Sequence, residues 1–264
     1  MNDYNERFSG VISLIGMDKI NILSNANVCL IGLGGVGSWV AEALARCGVG
    51  RITIVDFDVV SKTNVNRQIH SLDGDFNKTK VQSMAERILR INPYCIVKQI
   101  HSFFTYSNAD EILYENYSYV IDAMDSPSKK CLLADKCKKR GIPLIMTGAA
   151  GGKIDPTMVK IADLSEVYND RLLQEVRKKL RAKYGFPGAS SPMGIDAVFS
   201  IEPAKRQKNN IPDTEKAEDS NFKTRVGTVV FVTAVFGFAA SSRVFVKLTG
   251  IETTPQVSDV GKIL

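Results

Sequence analysis

The stretch LIGLGGVG at residues 30–37 decides the fold of the first half of the chain. An apolar run leads into it, and a pattern of helical spacing follows over residues 36–47. Gly32, Gly34 and Gly37 stand in the register G-x-G-x-x-G, which allows a tight turn and lets backbone amides approach a phosphate. The positive end of the following helix adds to that attraction. The stretch therefore predicts a strand, a turn that binds a nucleotide, and a helix.

The alternation of strand and helix continues to about residue 150. Apolar, often β-branched runs predict strands, at residues 27–33, 51–55, 96–100, 117–125 and 142–148. Segments with helical spacing lie between them, at residues 36–47, 78–91, 109–115 and 128–140. Such alternation is typical of βαβ units, and continuous apolar runs indicate strands that are buried on both faces. We expect an α/β fold with a doubly wound, Rossmann-like and mainly parallel sheet.

The pattern changes after residue 150. Strands are predicted over residues 153–164 and 194–203, and a helix over residues 165–183. That helix has an apolar stripe, which consists of Tyr168, Leu172, Val176 and Leu180. Residues 205–221 are polar, of mixed charge and without periodicity, which indicates a loop. We expect residues 1–150 to be the nucleotide-binding region, and residues 151–264 a C-terminal substrate-specific and dimerisation extension of the same continuous domain.

The composition narrows the class of protein. Of the 264 residues, 44% are hydrophobic and 23% are charged, as in an ordinary globular protein with a core. The five cysteines form no C-x-x-C pair, so a four-cysteine zinc site is excluded. The odd cysteine count and an N-terminus without a secretory pattern predict a cytoplasmic protein with reduced thiols. The net charge of +6 is by itself a weak indication of a polyanionic partner.

Residues 226–248 raise the question of a membrane anchor. The segment is apolar, but Ser241, Ser242 and Arg243 interrupt it before it reaches the ~20 residues that a bilayer span needs. A buried core helix or dimer-interface helix is therefore favoured over an anchor.

A second stretch, IVDFDVVSKTNVNRQIH at residues 54–70, indicates the kind of nucleotide. Asp56 lies about 20 residues beyond the glycine turn, where an acid can bond a ribose hydroxyl. A hydride-transferring NAD enzyme has no obvious use for the polar residues that follow, which are Asp58, Asn64, Arg67, Gln68 and Lys80. Cations there would face the phosphates of a nucleotide on the turn and stabilise a leaving pyrophosphate. As a set they favour a nucleoside triphosphate, although for Arg67 or Lys80 alone a solvated surface position would be the simpler interpretation.

The stretch VIDAMDSP at residues 120–127 places Asp122 and Asp125 at the end of the predicted fourth strand. Ligands of doubly wound sheets bind at the carboxyl ends of the strands. A carboxylate beside triphosphate oxygens is a natural ligand of magnesium. The alternative for Asp125 is to cap the following helix.

These motifs resemble a known superfamily. The pieces that carry the resemblance are GLGGVGSW, DFDVVSKTNVNRQIH, NKTK, INP, YSYVIDAMDS and IPLIMTGAAGGKIDPT. They are similar to the ubiquitin-activating-enzyme-like adenylyltransferases of the ThiF/MoeB type. Residues 7–248 resemble, within that superfamily, the group of tRNA threonylcarbamoyladenosine dehydratases, and NRQIH, GGKIDPT and TAVFGFAA are the most group-specific pieces.

The resemblance implies an ATP-binding homodimer that modifies tRNA. Such an enzyme adenylates the carboxylate of threonylcarbamoyladenosine, next to the anticodon, and releases pyrophosphate. The activated carboxylate then closes onto the carbamoyl group, with release of AMP and net loss of water. The implied roles are phosphate binding by Gly34, Gly35 and Gly37, ribose binding by Asp56, triphosphate binding by Asn64, Arg67, Gln68 and Lys80, and magnesium binding by Asp125. Arg67, Lys80 and Asp125 are the implied catalytic residues, and Asp58 belongs to the expected ATP site.

Two departures separate this chain from members that activate sulfur-carrier proteins. Those members often open with R-[YF]-x-R, whereas this chain has Arg7-Phe8-Ser9-Gly10, which leaves open whether Arg7 reaches a partner subunit. They also often carry zinc-binding C-x-x-C pairs and a late reactive cysteine, and here no cysteine follows Cys137. Activation of a ubiquitin-like or sulfur-carrier protein therefore stays the alternative, behind which come an inactive scaffold subunit and an NAD dehydrogenase.

The helix predicted over residues 165–183 is strongly basic. Its cations are Arg171, Arg177, Lys178, Lys179, Arg181 and Lys183. Together with Lys205, Arg206 and Lys208 they are expected to hold the anticodon arm of tRNA, because the superfamily places substrate-specific elements after the nucleotide domain. A solvated helix face is the alternative interpretation. No DNA partner is expected.

Overall fold

The computed structural model describes residues 3–189, 191–205 and 226–252. One sheet of seven strands forms its centre, and the strands are β1 Asn27–Ile31, β2 Arg51–Asp56, β3 Ile96–His101, β4 Tyr119–Asp122, β5 Leu144–Thr147, β6 Val159–Asp163 and β7 Asp196–Ser200. Their order is β3-β2-β1-β4-β5-β7-β6, and all neighbours pair in parallel except β6 with β7. The predicted fold class, a mainly parallel α/β sheet, is confirmed. The loop predicted over residues 205–221 lies almost wholly outside the described residues, as do Arg206 and Lys208.

Helices cover both faces of this sheet. They are α1 Asp3–Arg7, α2 Ser9–Ile15, α3 Met17–Asn25, α4 Gly37–Arg46, α5 Lys80–Ile91, α6 Ala109–Ile112, α7 Pro127–Arg140, α8 Arg171–Lys183 and α9 Val230–Thr249. The two main hydrophobic clusters lie on opposite faces of the sheet, since Val28 and Leu30 of β1 belong to one cluster and Cys29 and Ile31 to the other. Because β1 to β5 run parallel, their carboxyl ends lie at one common edge of the sheet. The motifs of the sequence meet at this edge.

Three N-terminal helices precede the nucleotide-binding unit and have no counterpart in the sequence prediction. They bury Phe8, Ile20 and Leu23 as a small separate cluster. Tyr4 anchors them by donating a hydrogen bond to Gly48 O at 2.6 Å. The sequence left open whether Arg7 reaches a partner subunit. In the structure, Arg7 Nε donates a hydrogen bond to Asp3 Oδ2 within α1.

Helix α9 packs against α4. An added Cβ at Gly237 would lie 2.8 Å from Val36 O and from Trp39 Cβ, so the close approach of the two helices requires glycine. This is the helix that, among the residues the structure describes, is long and apolar enough to cross a bilayer, and 44% of its apolar window is buried inside the protein. One face of α9 therefore belongs to the core, while Phe231 and Phe238 stay 48% and 45% exposed on the other.

The prediction of one helix over residues 165–183 is partly wrong. The chain instead forms a short 3-10 helix, Leu164–Glu166, and begins α8 only at Arg171. Asn169 interrupts the helix, because it has a left-handed φ of 55°. The predicted stripe is corrected accordingly: Leu173, Val176 and Leu180 are buried, whereas Tyr168 precedes the helix and is 52% exposed.

Candidate nucleotide-binding site

A cleft of about 630 Å³ opens at the carboxyl ends of β1, β2, β3, β4 and β5. It brings together most of the residues that the sequence singled out, namely Gly32, Gly34, Gly35, Asp56, Asp58, Arg67, Gln68, Lys80 and Asp125. Two predicted residues, Gly37 and Asn64, do not line the cleft and lie beneath its surface.

The glycine turn between β1 and α4 is tightly constrained. Gly32 has a φ of 97°, and a side chain there would meet the backbone of Ala123. A Cβ at Gly37 would overlap Gly32 O. Gly34, in contrast, has open space around its Cα. Gly32 and Gly37 are therefore required by the turn itself, while Gly34 leaves room for a ligand to approach the backbone.

Asp56, at the end of β2, holds the turn in place. Its Oδ2 accepts a hydrogen bond from Leu33 N at 2.6 Å, and its Oδ1 accepts one from Asp58 N at 2.8 Å. Each carboxylate oxygen has more than one acceptor position, so these bonds leave room for a ribose hydroxyl. The carboxylate is only 9% exposed and faces the cleft.

Lys80 begins α5, two residues after the predicted helix start at residue 78, and follows the N-cap Thr79. Its side chain is nearly buried, and Nζ donates to Asp58 Oδ2 at 2.6 Å. The Asp58 side chain is 44% exposed. The ion pair therefore directs a desolvated cation toward the cleft, with one solvated carboxylate as its partner.

Arg67 lies over the glycine turn. Its Nη1 donates to Thr63 O and to Asn66 Oδ1, both at 2.9 Å. A Cβ at Gly35 would come within 3.1 Å of the Arg67 side chain, so this glycine gives the arginine its place. Trp39 Nε1 also donates to Arg67 O at 3.0 Å. Arg67 is thus half-buried, held by its own loop, and lines the cleft.

The amides of the NVNRQ segment differ in their surroundings. Asn64 Oδ1 accepts a hydrogen bond from Ser61 N, which closes the short 3-10 helix Lys62–Asn64. Its side chain supports the loop and does not reach the cleft surface, contrary to the direct triphosphate contact that we expected. Gln68 is 4% exposed and lines the cleft, and its Oε1 accepts no hydrogen bond from any residue that the structure describes.

The two acids at the end of β4 have separate roles. Asp125 is exposed in the cleft, and the N-cap of α7 is Ser126, so Asp125 does not cap that helix. Asp122 is fully buried and accepts a hydrogen bond from the equally buried Lys130 Nζ at 3.0 Å. Lys130 also donates to Thr147 O at 2.8 Å and so ties the ends of β4 and β5 together. Asp125 is therefore the one of the two that can reach a ligand.

Sequence reasoning missed a pair of aromatic rings at the mouth of the cleft. Phe57 and Phe103 are stacked with their centroids 3.4 Å apart, and Lys129 Nζ lies 4.3 Å from the Phe103 centroid. Both rings are more than 40% exposed. Phe57 is the middle residue of DFD, and Phe103 follows β3, so the rule that ligands bind beyond strand ends would have found both.

Sequence reasoning also missed a further part of the wall of the cleft. Residues 147–151, which begin at the last residue of β5, line the cleft together with Leu172, Val226, Thr228 and Thr233. The cleft is therefore lined by residues from both the first 150 positions and the later part of the chain.

Neither a thiol nor a preformed metal cluster belongs to this cleft. The five cysteines, all in the described part of the chain, are free and do not line it. Burial raises the pKa of Cys95 and of Cys137 to about 12, so these thiols are protonated at neutral pH. Within residues 3–189, 191–205 and 226–252, no three His, Cys, Asp or Glu residues form a group that could hold a metal.

The basic helix α8 presents its cations unevenly. Arg171, Lys178 and Lys183 are exposed. Arg177 Nη1 instead donates to three carbonyl oxygens, those of Leu164, Ser165 and Val167, and burial lowers its pKa. Arg181 Nε donates to Pro187 O, and Lys179 pairs with Glu175. Half of the predicted cations are therefore held by the protein itself.

Comparison with known proteins identifies the family of this chain. A model of the ThiF family matches residues 7–260. The tRNA threonylcarbamoyladenosine dehydratase of Haemophilus influenzae is 42% identical over 252 residues, which are 94% of this chain and 95% of that protein. The dehydratase of Escherichia coli is 40% identical over 252 residues, 93% of this chain and 94% of that protein.

Solved structures give the same result. The Escherichia coli tRNA N6-threonylcarbamoyladenosine dehydratase in complex with ATP has a TM-score of 0.85 and 39% identity, covering 95% of this chain and 96% of that one. More distant relatives match only part of the chain: the adenylyltransferase and sulfurtransferase MOCS3 of Arabidopsis thaliana is 37% identical over 129 residues, 49% of this chain and 28% of that protein. Because the family model covers nearly the whole chain and the dehydratases align over more than nine tenths of it, the chain belongs to the ThiF family.

Proposed function

We propose that the protein is an ATP-dependent tRNA threonylcarbamoyladenosine dehydratase. The observation that carries this function is the cation set of one cleft: Arg67 and Lys80 line the same cleft as the glycine turn and the exposed Asp125. Cations along a phosphate chain stabilise the charge that grows on a leaving pyrophosphate. The full-length similarity to dehydratases, one of them solved with ATP, supports the same assignment.

The reaction proceeds by activation of a carboxylate. An oxygen of the threonylcarbamoyladenosine carboxylate attacks the α-phosphorus of ATP, and pyrophosphate leaves. The neighbouring carbamoyl group then attacks the acyl carbon, and AMP leaves with the oxygen that the carboxylate has lost. The sum is loss of one water from the nucleoside, driven by cleavage of ATP. Because nucleophile and acyl group belong to one molecule, the second step profits from a high effective concentration.

The residues of the cleft have distinct tasks in this scheme. Asp56 receives the ribose, and Arg67, Gln68 and Lys80 hold the β- and γ-phosphates. Asn64 acts through the loop that it closes rather than by contact. The exposed stack of Phe57 and Phe103 is suited to one face of the adenine, since every base offers a π surface.

Magnesium fits this cleft as a companion of ATP. Magnesium prefers oxygen ligands and takes one or two carboxylates together with substrate phosphates. Asp125 is an exposed carboxylate in the same cleft as the glycine turn, which matches that requirement. When bound, the ion neutralises phosphate charge; the protein supplies Asp125 to hold it.

The alternative is activation of the C-terminus of a ubiquitin-like or sulfur-carrier protein. The similarity to such adenylyltransferases covers about half of this chain. The cysteines are buried or partly buried away from the cleft, so a thioester step has no suitable residue among them. This alternative is therefore second to the dehydratase.

The remaining expectations concern assembly and location. We place the enzyme in the cytoplasm as a homodimer, with tRNA and no DNA as its nucleic acid. The exposed apolar side chains of α9, Phe231 and Phe238, support a covered surface there, because large exposed patches mark interfaces. Residues 151–264 supply tRNA recognition and the dimer contact, and residues 1–150 supply ATP binding.

Mass spectrometry of tRNA nucleosides tests the function. After incubation of the protein with ATP and tRNA that carries threonylcarbamoyladenosine, the modified nucleoside should lose the mass of one water. The spent nucleotide should be AMP with pyrophosphate. Formation of ADP would mean phosphoryl transfer, and tighter binding of NAD than of ATP in calorimetry would reject the nucleotide assignment. Adenylation of a small protein that ends in Gly-Gly, with tRNA unchanged, would establish the alternative.

A further inference from the structure

One buried carboxylate joins the basic helix to the wall of the cleft. Asp170 is the N-cap of α8, where its Oδ1 accepts a hydrogen bond from Leu173 N at 3.0 Å. Its Oδ2 accepts another from Ala149 N at 2.8 Å. The residue is 1% exposed. The same side chain therefore fixes the start of α8 and the segment that follows β5.

The contact with the cleft wall is close. A Cβ at Gly148 would overlap Asp170 Oδ2, so glycine is required for the carboxylate to reach its place. Gly148 N donates to Val198 O at 2.8 Å, which holds the segment to β7 from the other side. Gly148, Ala149 and Leu172 all line the cleft. Asp170 therefore lies directly behind this part of the cleft wall.

A buried lysine balances this carboxylate. Lys153 Nζ lies 3.9 Å from Asp170 Oδ2 and donates to Ser200 O at 3.2 Å. Its side chain is 1% exposed, and burial lowers its pKa while Asp170 and Glu202 oppose that shift. A buried charged pair is costly to build, and removal of one member leaves the other uncompensated. Loss of Asp170 would therefore leave Lys153 as a buried cation without its charged partner.

The geometry points to Asp170 as the positioning residue that aligns the tRNA-bound carboxylate with the nucleotide. We infer that a tRNA held along α8 reaches the cleft by passing over Leu172 and the Gly148–Ala149 backbone, which both line it. Asp170 sets the distance between these two elements, so it sets the distance between the substrate carboxylate and ATP. This inference rests on the proposed function, because it names the side from which that substrate arrives.

Two substitutions separate this task from capping. Asp170→Ser keeps a good N-cap, since serine caps about as well as aspartate, but serine is too short to hold Ala149 N as well. Asp170→Asn keeps the size of the side chain. Its amide oxygen can accept a hydrogen bond from one of the donors Leu173 N and Ala149 N, but its NH₂ group then faces the other donor. The matched control is Asp163→Ser, because Asp163 caps the nearby 3-10 helix and accepts hydrogen bonds from Met193 N and Gly194 N without lining the cleft.

The test compares binding with turnover in the full-length protein. Both Asp170 variants should bind ATP, and should bind tRNA carrying threonylcarbamoyladenosine, within about twofold of wild type. Their rate of AMP formation at saturating ATP and tRNA should fall roughly 10- to 100-fold, the scale for a misplacement of about 1 Å. Asp163→Ser should keep its rate, even where thermal melting shows a loss of stability comparable to that of Asp170→Ser.

Two results would overturn the inference. One is an unchanged rate at saturation in both Asp170 variants. The other is a loss of ATP affinity in proportion to the loss of stability, which would make Asp170 a structural residue only. A wild-type protein that forms no AMP with this tRNA would instead reject the proposed function itself, and this distinguishes the two failures.

Discussion

Lys80 Nζ lies 2.6 Å from Asp58 Oδ2, and the lysine side chain is 6% exposed while that of the aspartate is 44% exposed. The two carboxylates of the DFD motif thus act differently, since Asp56 bonds the glycine turn and Asp58 bonds the cation. Asp58 holds the buried Lys80 ammonium in one orientation. Because Asp58 itself is solvated, the ammonium can still attract a phosphate. The arrangement prepares the cleft for a phosphate chain before the nucleotide arrives.

Lys80→Ala and Arg67→Ala should each lower the rate of AMP formation by roughly 10²- to 10³-fold, the scale for loss of one stabiliser of transition-state charge. Lys78→Ala is the matched control, because Lys78 lies two residues earlier and pairs with Asp75 and Glu86 away from the cleft. Steady-state kinetics and a thermal melt measure activity and folding together. A fully active double variant of Arg67 and Lys80 would remove the basis of the site.

The sequence predicted those parts of the site that depend on residues close together in the chain. It did not predict the parts that depend on residues far apart in the chain. The glycine turn, Asp56 and Lys80 are predicted correctly in place, because each follows a local rule for a strand end or a helix start. Asp125 also lies at its predicted strand end. The buried pair of Lys130 and Asp122 and the link between Asp170 and Ala149 escaped prediction, because they depend on which strands become neighbours. Such contacts have no local pattern.

The error in the basic helix has a different cause. The sequence did contain signals for the helix boundaries. Asp163 caps the short 3-10 helix by accepting a hydrogen bond from Ser165 N, and Asp170 caps α8 by accepting one from Leu173 N. Apolar spacing alone joined the two turns into one helix and selected Tyr168 for the buried stripe. Helical periodicity cannot reveal a left-handed residue such as Asn169, which separates them.

Removal of magnesium should abolish AMP formation, and Asp125→Ala should raise the magnesium concentration needed for half-maximal rate. The described residues form no metal cluster of their own, so we expect little magnesium binding without ATP. Titration calorimetry with magnesium alone and with ATP checks this. Asp135→Ala, which breaks only a pair with Lys139 on α7, should leave the magnesium dependence unchanged. Tight binding of magnesium to the ATP-free protein would contradict the assignment.

His70 should make the fold sensitive to acid. It is 1% exposed, neither ring nitrogen has a hydrogen-bond partner among the described residues, and burial, with Lys80 nearby, lowers its pKa to about 4. The unfolded chain takes up a proton near pH 6.5, whereas the folded protein resists protonation until about pH 4. Stability due to the neutral ring is therefore complete above pH 6.5 and falls as the pH drops toward 4, by about 1.4 kcal/mol for each pH unit.

Urea denaturation between pH 7 and pH 4.5 tests this sign. The unfolding free energy of wild type should fall relative to that of His70→Leu as the pH drops, because the variant has no imidazole to take up a proton. His70→Asn should show the same pH dependence as His70→Leu with a different absolute stability, since it buries a polar amide. Parallel curves for wild type and both variants would show that His70 does not titrate in this range.

The exposed cations of α8 should govern the affinity for tRNA. Replacing Arg171, Lys178 and Lys183 together by alanine should weaken tRNA binding and flatten its salt dependence. The slope of log affinity against log salt should fall by about 0.7–0.9 for each phosphate that the variant no longer neutralises. ATP affinity should stay the same, because these side chains do not line the cleft.

Arg177→Ala is the informative contrast to that triple variant. Its guanidinium bonds three backbone carbonyls, so we expect a loss of thermal stability with an almost unchanged salt slope. Binding measured by fluorescence anisotropy at several salt concentrations separates the two effects. An unchanged slope in the triple variant would place the tRNA on another surface of the protein, and α8 would then be a solvated helix.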